Sequence, residues 1–381
     1  MNFTEEQLRE LTANNTSFSK EVPGLQIAWD SSSLGLLKEC PRKYAYVQLM
    51  GYGDESDHLT FGTLYHECQE IYKLAIHGDK GYDEALHSAV KHALTASGHH
   101  EEIAVCMECG SAKAGSDRDL DNCPDCGAAA PWSKEEMVWV PWESDIPEKN
   151  RFTLVRSIVW WAETFRHEDE TEAFKTKVLK DGTPAVEIAF RFDSGVSNQL
   201  SSEGNYIFCG RLDEAVEHMN LTFIKDTKTS KYSITPDYFD KYSPDNQMSM
   251  YSAAGRVCLG EPVAGIMIDA TQVLVNISRF SRGFAERTPN QLEEWMHDQE
   301  YWLRMNEQFV RNRYWPMNDT SCSKYGGCPF QKRRLGAVCS KDPSVRTAFL
   351  DSNFKRRVWD PLKRGESNPT IKGDLNAKSD S

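Results

Sequence analysis

No apolar run in these 381 residues approaches the roughly 20 that a membrane-spanning helix needs. The opening M-N-F-T-E-E-Q-L is polar and acidic, with neither the basic start nor the apolar stretch of a secretory signal, so a reducing, cytoplasmic setting is expected. Positive charge is also scarce. The chain has 44 Lys and Arg against 57 Asp and Glu, a formal net charge of −13. Indiscriminate coating of nucleic acid needs cations ranged against phosphate, which this balance argues against. It does not exclude nucleic acid as a substrate. A metal-recruiting acidic site adds to the deficit, and basic clusters remain at Arg311 and Arg313, at residues 332–334 and at residues 355–357. With 39% hydrophobic and 27% charged residues the composition is that of a soluble globular protein, and the length suggests two or three domains.

Cysteine is not scarce. Eleven cysteines without an export signal point to metal rather than to disulfides. Cys106, Cys109, Cys123 and Cys126 form two C-x-x-C pairs, which bring four thiolates into the closed tetrahedron of a structural zinc, Zn²⁺. Such a ribbon, expected as an insertion over residues 101–132, is too small to hold a core without its metal, so zinc should be needed for its folding. Cys322, Cys328 and Cys339 supply three further soft ligands and require a fourth. Cys40, in E-C-P-R-K-Y, is the candidate: Pro41 breaks the helical pattern and exposes the thiol, and Arg42 and Lys43 favour a thiolate. Four thiolates from distant parts of a chain suit a second zinc or an iron–sulfur cluster, and spacing does not separate the two. Cys68, Cys209 and Cys258 lie in apolar surroundings and read as small buried hydrophobes.

The centre of the chain is G-R-L-D-E-A-V-E-H-M-N-L-T-F-I-K-D-T-K, Gly210 to Lys228. Two strand-like runs flank a polar turn at 218–220, which predicts a β-hairpin. Asp226 and Lys228 share a face by the period of two, and closing the hairpin brings Asp213 across to them. Two carboxylates suit a hard cation such as Mg²⁺ or Mn²⁺ that also accepts a phosphate oxygen, and an ammonium beside them can orient water or stabilise developing charge. The competing reading is an ordinary hairpin with exposed Asp and Lys.

Around this centre the chain alternates helix and strand. Serines 31–33 are placed to cap a helix carrying Leu34, Leu37 and Tyr44. Residues 59–75 have helical spacing, with His66 one turn after Gly62; the histidine is structural or a ligand, and the glycine admits another backbone or a ligand. Residues 151–167 form an amphipathic helix, and 184–193 alternate as a strand. There Glu187 faces away from Ile188 and Phe190, either projecting toward a metal or solvated. A helix begins near Pro244 or Asp245 and sets Gln247 and Tyr251 on one face. A long helix over 291–313 buries a stripe of Leu292, Trp295, Met296, Trp302 and Phe309, and the polar residues 364–381 are expected to be disordered.

Taken together, C-P-R-K-Y at 40–44, G-T-L-Y-H at 62–66, G-R-L-D at 210–213, D-T-K-T at 226–229 and Q-M-S-M-Y at 247–251 resemble the RecB-like branch of the PD-(D/E)XK nuclease superfamily. The likeness is to CRISPR-associated and phage-encoded iron–sulfur exonucleases and to the AddB nuclease domain. It implies an α/β (α+β) restriction-endonuclease-like core, a mixed central sheet flanked by helices, with a helical N-terminal part and a C-terminal cluster segment. It implies His66, Asp213, Asp226 and the Thr227 carbonyl as ligands of the divalent ion, Lys228 as the catalytic lysine and Glu187 as an accessory acid. Gln247 and Tyr251 would contact nucleic acid or brace the site. Cys40, Cys322, Cys328 and Cys339 would hold a 4Fe-4S cluster, although the last three are spaced more widely here than in those relatives, and the zinc ribbon is no standard part of the family.

The expected organisation is 1–100 helical and carrying the first cluster cysteine, 101–132 zinc ribbon, 133–182 helical connection, 183–320 nuclease core, 321–345 cluster segment and 346–381 a partly disordered tail. The expected function is a metal-dependent DNA exonuclease on single-stranded or free ends, in phage or prokaryotic DNA metabolism within a bacterial cytosol, with protein partners in recombination or replication. The alternative is a DNA-end-binding or assembly factor that uses the zinc ribbon, the nuclease fold being secondary.

Overall fold

The computed structural model describes residues 2–53, 57–114, 122–129, 136–323, 327–332, 336–363 and 370–374. Its helices are α1 (Glu5–Thr12), α2 (Ser31–Glu39), α3 (Pro41–Tyr44, running into a π turn at Ala45–Leu49), α4 (Asp57–His77), α5 (Tyr82–Ala96), α6 (Arg151–Glu170), α7 (Pro236–Asp240), α8 (Asn246–Leu259), α9 (Pro289–Asn312) and α10 (Arg346–Asn353). The early strands are β1 (Ala28–Trp29), β2 (Tyr52–Gly53), β3 (Gly98–Val105), β4 (Ala112–Ala114), β5 (Glu136–Pro141) and β6 (Lys175–Thr176). The later ones are β7 (Val186–Ser197), β8 (Asn205–His218), β9 (Leu221–Ser230), β10 (Gly265–Val273), β11 (Ser278–Glu286), β12 (Gln331–Lys332), β13 (Gly336–Ala337), β14 (Lys355–Arg356) and β15 (Thr370–Asp374). Two units divide these elements.

The first unit comprises Met1–Ser56, Phe165–Gln272 and Arg279–Ser381. Its frame is a mixed sheet in the order β11-β10-β9-β8-β7-β15, with β1 and β6 also pairing with β8. β7, β8 and β9 are antiparallel neighbours, whereas β10 runs parallel to β9 and β15 parallel to β7. Every residue of β10 is buried, as expected of a strand covered on both faces. The hairpin predicted at 218–220 is present, and its two turn residues, Met219 and Asn220, have φ of 50° and 62°, the left-handed pair whose twist matches the strands. Gly210 is required by packing, because a β-carbon there would meet the Phe190 ring at 2.8 Å.

Three expectations change here. Asp30 is the N-cap of α2 and shares the capping with one of the expected serines: its carboxylate accepts the Ser33 N–H at 2.8 Å while the Ser33 hydroxyl accepts the Asp30 N–H at 3.1 Å, and an anion at this end also suits the helix dipole. Cys40 is 7% exposed rather than open to solvent, because Pro41 starts α3 as well as ending α2 and folds the thiol inward. Thr370–Asp374 forms a strand of the main sheet, paired with β7 by its backbone, where composition predicted disorder; residues 364–369 and 375–381 lie outside the described residues. The segment before it closes on the start of the chain. Asn15 donates to the Trp359 carbonyl at 2.8 Å, the Thr16 hydroxyl to Asp360 at 2.8 Å, and β14 pairs with β2.

The second unit comprises Asp57–Thr164 and Val273–Ser278. Ala85, Ala89 and Ala93 form a small buried face on α5, and the Tyr72 and Trp161 rings of α4 and α6 meet edge-on at 5.4 Å. β3 pairs with β4 and with β5. Residues 136–141, expected within a helical connection, are thus a strand, set by the cross-strand pairing of Trp139 with His100. Residues 115–121 and 130–135, part of the expected ribbon, lie outside the described residues.

Candidate active site

The ladder between β8 and β9 runs from His218↔Leu221 to Glu214↔Lys225. One step further on, a carboxylate oxygen of Asp213 accepts the backbone N–H of Thr227 at 2.8 Å. Asp226 (1% exposed) and Lys228 project from one face of β9, with the Lys228 Nζ 2.6 Å from Asp226 Oδ2. The ammonium also donates to Gln247 Oε1 at 3.0 Å, and the Gln247 amide donates to the Tyr251 hydroxyl at 3.0 Å. α8 delivers both residues, because Asp245 caps it by accepting the Gln247 and Met248 N–H groups.

On β7, Glu187 sits between the pairs Val186↔Glu214 and Ile188↔Leu212, opposite Asp213. Its φ of 49° is a left-handed conformation unusual for a residue with a side chain. Glu187 is buried, and one of its carboxylate oxygens lies within 4.8 Å of one from Asp213, so the solvated alternative is excluded. Arg211 binds Glu187 at 3.1 Å. That arginine was not anticipated, although G-R-L-D places it two residues from Asp213 and so on the same strand face.

Burial alone would pull the Lys228 ammonium toward deprotonation, but the Asp226 and Asp213 carboxylates outweigh it and hold the pKa above its ordinary value. The Tyr251 phenol is pushed well up, first by burial and then by the Asp213 and Asp226 charges, and so stays neutral. The Glu187 and Asp213 carboxylates, with oxygens within 4.8 Å of each other, are hard donors of the kind that fits Mg²⁺ or Mn²⁺. His66 belongs to the second unit, on α4. A β-carbon on Gly62 would meet no described atom within 4 Å, so no protein backbone accounts for that glycine.

The opposite face of the hairpin carries charges that the sequence reading missed. Lys225 binds Glu214 and lies 4.0 Å from Asp269, Glu214 accepts the Thr176 hydroxyl at 2.6 Å, and Arg282 reaches Asp269 at 3.7 Å as well as Glu168. Glu214, Lys225 and Asp269 are at most 3% exposed.

The cysteines fall into two arrangements. In the second unit the Cys106, Cys109, Cys123 and Cys126 sulfurs all lie within 4.8 Å of one another. Cys106 and Cys126 are 3.7 Å apart, and Cys109 and Cys123 are 3.8 Å apart. A tetrahedron with metal–sulfur bonds of 2.3 Å has edges of about 3.8 Å, so the set fits a single zinc ion. Both knuckles are built alike. Gly110 and Gly127, with φ of 74° and 75°, return their N–H groups to the Cys106 and Cys123 carbonyls, each at 2.8 Å.

In the first unit Cys40 accepts the Asn318 N–H at 3.3 Å and Cys339 lies 3.7 Å from the Tyr46 hydroxyl. The Cys322 thiol is raised by burial and then by the Cys339 and Cys40 sulfurs, and that of Cys328 by burial, with Cys322 and Cys339 adding to it. The four therefore share one neighbourhood. Arg42 does not serve the Cys40 sulfur as expected; its guanidinium donates to the Tyr314 hydroxyl at 3.2 Å, while Lys43 pairs with Glu39 at 2.8 Å.

Acids and a lysine gathered on a hairpin of a mixed sheet, braced by a helix, are the arrangement of a metal-dependent nuclease. The chain belongs to the PD-(D/E)XK nuclease superfamily, which it matches over residues 29–333. No curated protein matches the chain. The matched span holds the hairpin, His66, Gln247, Tyr251, Cys40, Cys322 and Cys328, and Cys339 lies beyond its end. Members of the superfamily are typically metal-dependent nucleases, so nucleic acid is the substrate class that membership implies. Among the described residues no helix is long and apolar enough to cross a membrane.

Proposed function

We propose that this protein is a divalent-metal-dependent deoxyribonuclease that hydrolyses phosphodiester bonds from single-stranded DNA ends, on the RecB-like and AddB-like pattern. The reading rests on one observation: Lys228 lies 2.6 Å from Asp226, beside the close carboxylates of Asp213 and Glu187. Asp213, Asp226 and the Thr227 carbonyl would hold the Mg²⁺ or Mn²⁺ ion, and the family resemblance gives His66 a ligand's role as well. The ion supplies Lewis acidity toward the phosphate and a more acidic bound water. Lys228, kept protonated by its acidic neighbours, stabilises negative charge as it develops on the phosphate. Gln247 fixes the position of that ammonium, Tyr251 fixes Gln247, and Arg211 orients Glu187.

Zinc on the ribbon and a 4Fe-4S cluster on Cys40, Cys322, Cys328 and Cys339 are structural in this reading. The cluster is favoured over a second zinc because, among the described residues, these four sulfurs are not drawn to the mutual 4.8 Å of the ribbon set. The setting is the cytoplasm, in phage or prokaryotic DNA metabolism, alongside recombination or replication proteins.

The decisive experiment uses anaerobically purified protein on end-labelled single and double strands, with and without Mg²⁺ or Mn²⁺. Release of short products from single-stranded ends by the parent, lost in Asp226→Ala, Lys228→Ala and His66→Ala, is the expected result. Intact DNA under every divalent ion, or undiminished cutting by Asp226→Ala, would remove the proposal. Brown protein containing iron and sulfide is expected; a colourless protein with two zincs would reject the cluster and leave the nuclease reading in place.

A further inference from the structure

A cavity of about 670 Å³ opens in the first unit, away from the carboxylates of the hairpin in sequence and in its lining. Arg42, Arg346 and Arg356 line it, against one carboxylate, Glu10. Arg356 is matched by Asp351 at 2.9 Å. Arg346 is 9% exposed and is spent on neutral acceptors, the Lys341 and Cys339 carbonyls at 2.9 and 3.0 Å. Arg42 is 7% exposed, donates to the Tyr314 hydroxyl, and its Nε has no hydrogen-bond partner among the described residues. Neither Arg42 nor Arg346 has an ion pair among the described residues. A guanidinium stays charged at any physiological pH, and a buried charge without a counter-charge is costly.

Arg346 feels the charge of exposed Asp342 only at longer range, and an anion entering the cavity would supply the close counter-charge that both guanidiniums lack among the described residues. Guanidinium forks match phosphate geometry, and the cavity falls within the range of about 300–1,000 Å³ typical of small organic ligands, larger than bare phosphate requires. Phe3, Leu11 and Met50 supply apolar wall. Two basic clusters that the catalytic site leaves unused adjoin it in sequence: Arg311 and Arg313 precede the lining Tyr314, and Arg356 is the centre of residues 355–357.

We infer that this cavity binds the phosphate of a nucleotide-sized ligand, with Arg42 as its anchor. The anion site stands on the arginines alone. Naming a nucleotide as the carrier rests on the nuclease reading.

The test is calorimetric titration of the full-length Asp226→Ala protein, without added divalent ion, with thymidine 5′-monophosphate and with thymidine. The monophosphate is expected to bind at least about tenfold more tightly than the nucleoside. Arg42→Gln should weaken it by about tenfold or more. Gln7→Glu guards against misfolding in that variant. Gln7 lines the cavity and closes a capping box with Thr4, which a glutamate preserves while adding negative charge; the same weakening is expected. Equal binding of thymidine and its monophosphate, no binding of either, or unchanged affinity in Gln7→Glu would overturn the inference. A 5′-phosphorylated oligonucleotide that displaces the monophosphate, where its 5′-hydroxyl counterpart does not, makes the carrier a strand end; displacement by neither makes it a free nucleotide, and both results support the site. DNA cleavage by the parent protein is scored separately. A parent that binds the monophosphate and cuts no DNA would keep this site and refute the nuclease reading.

Discussion

Lys228 reaches both oxygens of Asp226, one at 2.6 Å and the other at 2.8 Å. The pair is held from behind by Gln247, so the ammonium has two fixed acceptors, Asp226 Oδ1 and Gln247 Oε1, before any substrate arrives. Removing one preorganised donor of this kind costs about 10²–10³-fold in turnover. Lys228→Ala should lose that much kcat with little change in KM. Gln247→Ala, which acts only through the lysine, should lose about 10–100-fold. Single-turnover kinetics separate the two, and equal losses would place Gln247 on the substrate instead.

The ribbon predicts about one tightly held zinc per chain. Cys109 and Cys126 are its exposed thiols, so Cys109→Ser or Cys126→Ser should perturb no core yet release the metal. Metal analysis checks the content, and limited proteolysis between residues 98 and 141 should follow zinc loss. Full zinc retention by both variants would refute the four-thiolate site.

On the face of the hairpin opposite Asp226 and Lys228, Glu214 and Lys225 form an ion pair whose side chains are 3% and 4% exposed. Breaking one partner of such a pair typically costs about 3–5 kcal/mol, whereas replacing both with apolar residues is near neutral. Lys225→Met should therefore lower the unfolding free energy by about that amount, and Glu214→Leu with Lys225→Met should recover much of it. Denaturant titration of the three variants reads the difference.

Lys149 is 2% exposed, its amine lies 4.2 Å from the centre of the Phe61 ring, and it has no hydrogen-bond partner among the described residues. Burial pulls its pKa from the ordinary 10.5 down to about 7, with Glu148 opposing the shift. The unfolded chain then binds a proton that the folded chain gives up between pH 7 and 10.5. Stability should rise with pH across that window, and the penalty is full below its lower end. Lys149→Met should be more stable than the parent at neutral pH and lack this rise. Parallel slopes in the two proteins, from thermal unfolding at stepped pH, would contradict it.

Alternation and turn chemistry carried the centre of the molecule into view from sequence. The hairpin, the shared face of Asp226 and Lys228 and the one-turn spacing of Gln247 and Tyr251 all follow from periods of two and about 3.6. What stayed hidden depends on partners remote in sequence. Nothing local to V-E-I announces that Glu187 adopts a left-handed backbone, and Thr370–Asp374 looks like tail until β7 offers it an edge. The Arg42 guanidinium reads as a thiolate's neighbour in C-P-R-K-Y, yet Tyr314, 272 residues away, takes it. Glu214 and Lys225 alternate like solvated charges, and only the cover on the second face of the sheet buries them.

The first unit is stitched from three stretches of chain, with Asn15 and Thr16 tied to Trp359 and Asp360. Those early residues can make these bonds only once residues 359 and 360, more than 340 positions further along, have been made. Contacts spanning such separations form late and slowly. The hairpin acids are therefore made before the residues that tie the start of the first unit to its later stretch.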